Sequence, residues 1–412
     1  MVCRASLIPT AIALLGVFGA ACRAETIRIG YIDPFSGPAA GINETASHSL
    51  KMIVDLANKE GWAGANTFEV VDFDGKGSAQ ESVQQLKTGI DQGIRFFIQG
   101  LSSSVGLALV DAIDHYNERN PGKEVLYFSP TNQAPEFENN KCSFWSFLFD
   151  ANTDIRTEAL VKFLAKDTSI KKIYLINMNY AMGQQVSARA KAALNTLRPD
   201  IEIVGDDLHP MFQVKDFAPY ISKIKASGAD TVVTANWSVD LTLLLKAAKD
   251  ANLKIPFYTF NATTKGIPTA LAAADIDNVK VITYFNPSDD QSIHKLLVAP
   301  FREKYDDQFF NLTFYNLIRM LSEAIKDAQT SDAVTVARTL EGMKIKGLTG
   351  DLEMSKADHE VQQPLFIANW TKADGKDVLY DLEKTGYGFK TEATLAPSET
   401  FLATTCDMKR PN

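Results

Sequence analysis

Hydroxyls, amides and aromatic rings recur where short apolar runs end, and together they suit the capture of a small anion rather than bond-breaking. Gly100-Leu101-Ser102-Ser103-Ser104 follows one such run and opens a helical pattern, and Ser129-Pro130-Thr131-Asn132-Gln133 follows another. Pro34-Phe35-Ser36-Gly37-Pro38 closes the first run of the chain. Hydroxyls and free N–H groups at a helix start form an anion site, because the first turn has no intrahelical partner for its donors. Further along, Asn179-Tyr180, Asn236-Trp237 and Asn261 end later runs and offer a second wall of amides and rings. A cleft between the two walls would have one anion-binding side, one aromatic side and no nucleophile.

Motifs for other chemistries are missing. The chain has no GxSxG elbow, no GxxxxGK[ST] phosphate loop, no HExxH pair and no GxGxxG after a strand. His48, His115, His209, His294 and His359 are scattered without metal-ligand spacing and read as surface or structural residues. Asp72 and Asp74 read as solvated strand-end carboxylates. The expectation is a protein that is not an enzyme, with no catalytic residue, no metal and no cofactor. A formal net charge of −8 without any Lys/Arg-rich run argues against nucleic acid as a partner.

The walls need elements to hold them. With 412 residues, 45% of them hydrophobic, the chain has enough apolar content for two or three folded domains of about 100–200 residues each. Strand-like runs at 27–32, 68–73, 96–99 and 125–128 alternate with helical patterns at 83–90 and 104–118. After residue 150 the alternation resumes, with strands at 173–176, 202–204, 231–234 and 257–260 and helices at 217–224 and 239–251. This order predicts parallel βαβ units divided between two α/β lobes. In open parallel sheets, ligands bind beyond the C-terminal ends of the strands, where both walls lie.

Residues 1–24 read as a secretory signal peptide: Arg4, an apolar stretch from Leu7 to Ala21, then Ala-Cys-Arg-Ala before Glu25. Cleavage there predicts a periplasmic mature chain; acylation of Cys22 is the lipoprotein alternative. Export leaves Cys142 and Cys406, which in an oxidising compartment are expected to pair, the alternative being two buried thiols.

The loops, taken in order, resemble one family. They are Ile29-Gly30 through Phe35-Ser36-Gly37-Pro38-Ala39, the Ser102-Ser103-Ser104 helix start, Ser129-Pro130 with Ala134-Pro135-Glu136, Asn179-Tyr180-Ala181-Met182-Gly183-Gln184, and Asp216-Phe217 with Ile224 to Asp230. In this order they are similar to the Leu/Ile/Val-type periplasmic solute-binding proteins of ABC importers. The resemblance implies a type I periplasmic binding protein fold: two Rossmann-like lobes joined by three crossings, closing on a ligand about a hinge. It implies crossings near 150, 284 and 350. The first lobe would then be 25–150 plus 285–350, with the helical span 311–328 returning to it, and the second 151–284 plus 351–412.

Position by position, the resemblance makes Ser102 the holder of a ligand carboxylate, with Ser103 beside it. Thr131 would give a backbone contact, Gln133 a side-chain donor where relatives carry Thr, and Tyr180 and Trp237 the aromatic wall. Asn261 falls where amino-acid binders carry an acid for the α-ammonium. Asp150 and Asp240 stand elsewhere, and Trp145 and Phe149 are candidate lining rings or core residues. A buried ammonium without a counter-charge costs several kcal/mol, which tilts the expected ligand from a branched-chain amino acid toward a hydrophobic or aromatic carboxylate. The implied partner is the membrane permease of an importer. The alternatives are a soluble sensor presenting its closed form to a membrane receptor or kinase, and an enzyme of doubly wound fold.

Overall fold

Tyr31, Ile32 and Asp33 end the first strand with every side chain buried, the mark of a parallel strand covered on both faces. In the computed structural model, which describes residues 24–288 and 290–411, that strand is β1 (Thr26–Asp33). It lies in a sheet with β2 (Thr67–Asp74), β3 (Phe96–Ile98), β4 (Leu126–Ser129) and β5 (Ser146–Leu148). All pairings are parallel, in the order β2-β1-β3-β4-β5, with Tyr31 opposite Ile98 and Asp72.

The second sheet repeats this winding. Strands β6 (Lys172–Met178), β7 (Glu202–His209), β8 (Thr231–Thr234), β9 (Phe257–Thr259) and β10 (Val279–Thr283) pair in parallel in the order β7-β6-β8-β9-β10. A small antiparallel sheet holds β11 (Lys344–Lys346), β12 (Asp351–Met354) and β13 (Val361–Gln362). The antiparallel β14 (Leu365–Lys372) and β15 (Tyr387–Leu395) extend the second sheet beyond β10. Two parallel α/β lobes, the arrangement of a type I periplasmic binding protein, are thus present. The helix Leu312–Ala328 packs Leu317, Ile318 and Leu321 into the first lobe's core.

Three segments pass side by side between the lobes. The first, after β5, is tied to the third where the Leu148 N–H donates to the His359 carbonyl (2.9 Å) and the Asn152 N–H to Glu360 Oε1 (2.8 Å). It is tied to the second by Arg156, which pairs with the buried Asp150 and lies 5.5 Å over the Tyr284 ring. The third crossing falls after the position expected from sequence. Leu352, Met354 and Val361 pack in the first lobe's core, and Leu365 is the first residue to enter the second. The segment 351–362, assigned above to the second lobe, therefore sits on the first, because the β11–β13 sheet needs that core to cover its apolar face.

The C-terminus returns as well. After the turn Pro397–Thr400, which packs on the second-lobe helix Thr153–Leu164, residues 401–411 run back over the first lobe. Met408 joins the first lobe's core, Thr405 donates from N–H and Oγ1 to Asn139 Oδ1, and Cys406 is bonded to Cys142. The expected pairing of the two cysteines is present. Apart from Ala24, the expected signal segment and Cys22 lie outside the described residues. Among the described residues no helix is long and apolar enough to cross a membrane.

Candidate functional site

Contacts between the lobes show which edges meet. Gln185, on the helix after β6, donates to both carboxylate oxygens of Glu136, in the loop after β4 (3.3 and 3.4 Å). Lys265, in the loop after β9, donates to Thr45 Oγ1 (2.8 Å) and Asp307 Oδ2 (2.6 Å) on the first lobe. The C-terminal strand ends of both sheets therefore face each other across a cleft.

Ser102 is the residue before the helix Ser103–Arg119. Its backbone is extended, its side chain makes no capping bond, and its hydroxyl shares a 3.0 Å hydrogen bond with the Ser104 hydroxyl. Ser102 and Ser103 are half-buried and Ser104 is exposed. The loop before them is fixed from below. Asp33, at the end of β1, accepts from the Gly100 N–H (3.1 Å), the Leu101 N–H (3.3 Å) and Gln99 Nε2 (3.2 Å). Burial pushes the Asp33 carboxyl up to about 6 in spite of these donors, which oppose the rise. Gly100 is required here, since a Cβ would stand 2.5 Å from Thr131 Oγ1. Thr131 Oγ1 donates to the Gly100 carbonyl (2.9 Å), which brings the third- and fourth-strand loops together.

On the second lobe, Tyr180 and Trp237 precede the helices Ala181–Leu197 and Ser238–Asp250, again without a side-chain cap. They meet: Trp237 Nε1 donates to Tyr180 Oη (3.0 Å), and Phe212 stands edge-on to Trp237 with centroids 4.9 Å apart. Burial raises the Tyr180 hydroxyl to about 12, against the lowering effect of the Trp237 N–H, so it remains a neutral donor at physiological pH. Gly183 lets this helix approach its strand, because a Cβ there would lie 2.0 Å from the Met178 carbonyl.

Some other helices carry a side-chain cap, while Ala40–Glu60, Ala218–Ser227 and Leu312–Ala328 begin without one. Ser78, Asn152 and Asp332 each accept from an N–H of the first turn of the helix they precede. Such caps satisfy donors that are otherwise orphaned. The helix starts behind Ser102, Tyr180 and Trp237 lack such side-chain caps.

Other expected residues sit elsewhere or are engaged. Gln133 Nε2 donates to Asp150 Oδ2 (2.9 Å), and its carbonyl accepts from the Thr153 N–H and hydroxyl, so it serves the first crossing. Asn261 donates from Nδ2 to the Ala235 carbonyl (3.3 Å). Asp150 is held by Arg156, and Asp240, fully buried, accepts from the Phe212 N–H (2.8 Å) and lies 3.8 Å from His209. Phe149 packs against Phe128 in the first lobe's core, and Trp145 stands edge-on to Phe144. Among the described residues no group of His, Cys, Asp or Glu is arranged to hold a metal.

Sequence reasoning missed Asp33, Phe212 and Lys265. It also missed an apolar rim. Leu101 and Met211 lie in the loops after β3 and β7, and Ile42 and Val239 in the first turns of the helices that follow β1 and β8; they are 37–46% exposed. Single exposed apolar side chains are ordinary, and Leu197, Leu208 and Phe401 are as exposed.

Residues 26–376 match the periplasmic binding protein family. The Leu/Ile/Val-binding protein homolog 4 of Brucella abortus is 29% identical over 424 aligned positions, covering 99% of this chain and 98% of its own. The closed conformation of the leucine-, isoleucine-, valine-, threonine- and alanine-binding protein of Brucella ovis superposes with a TM-score of 0.82 at 27% identity, covering 94% of this chain and all of that one. A solute-binding protein of an ABC transporter from Rhodopseudomonas palustris, in complex with 3,4-dihydroxybenzoic acid, has a TM-score of 0.75 at 17% identity, covering 90% of this chain and 98% of its own, a likeness of fold alone.

Proposed function

The chain belongs to the periplasmic binding protein family, and from that premise we propose that it is the solute-binding component of an ABC importer and traps a small hydrophobic carboxylate between its lobes. Exported to the periplasm, it hands its ligand to a membrane permease. The ligand carboxylate is held by Ser102, Ser103 and the N–H groups that open their helix, with Thr131 beside them. Tyr180 and Trp237 form the opposite wall, and the apolar rim covers the rest of the ligand.

The observation that carries the ligand class is the state of the acids. Asn261 turns its amide to the Ala235 carbonyl, while Asp150 and Asp240 are committed to partners of their own. An α-ammonium enclosed beside Asn261 would meet a neutral amide there, and an unpaired charge taken out of water costs several kcal/mol. A second reading, a branched-chain amino acid, is favoured by the names of the relatives at 27–29% identity. In that reading Glu136, at the lobe interface, supplies the counter-charge.

Titration calorimetry with leucine and 4-methylpentanoate separates the two, since these ligands differ only in the amino group. The carboxylate reading expects 4-methylpentanoate to bind at least about a hundredfold more tightly. Tighter binding of leucine overturns it in favour of the amino-acid reading.

A further inference from the structure

One flank of the cleft carries a row of complementary charges. Residues Arg302, Asp306 and Asp307 of the first lobe meet Asp381, Lys384 and Lys265 of the second, in that order of pairing. Arg302 Nη1 lies 3.3 Å from Asp381 Oδ1, and Lys265 Nζ 2.6 Å from Asp307 Oδ2. The last pair is the most elaborate. Thr45 Oγ1 accepts from Lys265 and itself donates to Asp307 Oδ2 (2.6 Å), so three side chains from three separate segments close on one another. Burial alone would raise the Asp307 carboxyl. The hydrogen bonds from Lys265, Thr45 and its neighbour's N–H outweigh that and hold it below its ordinary value.

Lys265 differs from the other members in what it is attached to. It stands in the loop that starts at Asn261, where Thr264 returns hydrogen bonds from N–H and Oγ1 to the Asn261 carbonyl (3.1 and 2.8 Å). The next residue, Gly266, has φ +85° and donates to Glu383 Oε1 (2.6 Å), whose other oxygen takes the Thr269 N–H (2.9 Å). The loop is thereby braced on its own lobe at one end and ion-paired to the opposite lobe at the other. Lys265 and Asp307 lie on opposite lobes and outside the crossing segments, so opening the cleft on this flank would part them.

We infer that this seam is a closure clasp and that Lys265 couples it to the ligand loop, so that the pair Lys265–Asp307 sets how long a bound ligand is held. The inference rests on the ligand-trapping reading above. Lys265 acts as a positioning residue: it touches the opposite lobe, and its effect falls on the lifetime of the closed state.

Three variants test it: Lys265→Asp, Asp307→Lys and the double charge swap. Dissociation of 4-methylpentanoate and of leucine is timed by stopped-flow fluorescence, the radius of gyration is measured by small-angle scattering without ligand, and melting temperature is recorded. Each single variant is expected to release bound ligand about threefold to tenfold faster, with association within about twofold of wild type. Each is also expected to expand in the ligand-free state, and the double swap to reverse both changes. Single variants that melt earlier yet release ligand at the wild-type rate would make the pair merely structural and overturn the clasp. If neither compound binds the wild-type protein, the ligand reading fails. The scattering arm then decides alone: expansion reversed by the swap supports the clasp, and an unchanged radius overturns it.

Discussion

Ser102 combines two features at one position: a hydroxyl engaged only with the neighbouring Ser104, and a helix start left without a side-chain cap. A hydrogen bond to a charged carboxylate contributes about 1.5–3 kcal/mol. Ser102→Ala is accordingly expected to weaken binding of 4-methylpentanoate by roughly tenfold to a hundredfold while leaving the melting temperature nearly unchanged, since the hydroxyl caps nothing. Calorimetry that finds wild-type affinity in the variant removes Ser102 from the site. At this scale the sequence exposed the residues that end strands, because a Ser-Ser-Ser run or an Asn-Trp pair after an apolar run is visible locally. It hid those defined by distant partners. Asp33 matters through N–H groups near residue 100, and Lys265 through Asp307 and Thr45. Gln133 illustrates the converse: its type suited a ligand donor, but the buried Asp150 at the crossing takes its amide.

Elements were legible where apolar runs were long and separated by amphipathic helices. The expected helix 239–251 is observed at Ser238–Asp250 and the expected strand 231–234 at Thr231–Thr234. The strand Ser146–Leu148 escaped, although the equally short β3 and β9 were read, because no helical pattern separates it from β4. The late antiparallel strands escaped too. Tyr387–Leu395 interleaves exposed Lys390 and Glu392 with the half-buried Thr391 and Ala393, an edge-strand pattern that resembles surface loop. The third crossing moved from near 350 to about 364 because β11–β13 could be assigned to a lobe only once its core was known.

The C-terminal strap adds a fourth connection, closed by a bridge 264 residues long in sequence. Cross-links over long loops stabilise by about 2–4 kcal/mol through restriction of the unfolded chain. Replacing both Cys142 and Cys406 with Ser is therefore expected to lower the melting temperature by several degrees and to speed amide exchange across residues 401–411. Unchanged melting and unchanged exchange would show that Met408 and the Thr405–Asn139 contacts hold the strap without the bridge.

At the scale of the whole molecule, two parallel sheets of the same winding present their strand ends to each other. Three crossings, knit by Arg156, Tyr284 and Glu360, leave rotation about the hinge as the large motion open to the lobes. In the proposed site the anion donors lie on one wall and a tyrosine and a tryptophan on the other, with a charged seam at one flank. A ligand that satisfies both walls favours the closed arrangement by its differential affinity for it. On the proposed reading, an amino acid would satisfy the first wall and leave its ammonium without a counter-charge at Asn261.

Small-angle scattering of the wild-type protein, titrated in parallel with 4-methylpentanoate and with leucine, tests this account most directly, because it reads ligand class and lobe closure together. The radius of gyration is expected to fall saturably with 4-methylpentanoate and to stay constant with leucine at the same concentrations. Contraction with leucine and none with 4-methylpentanoate would contradict the account.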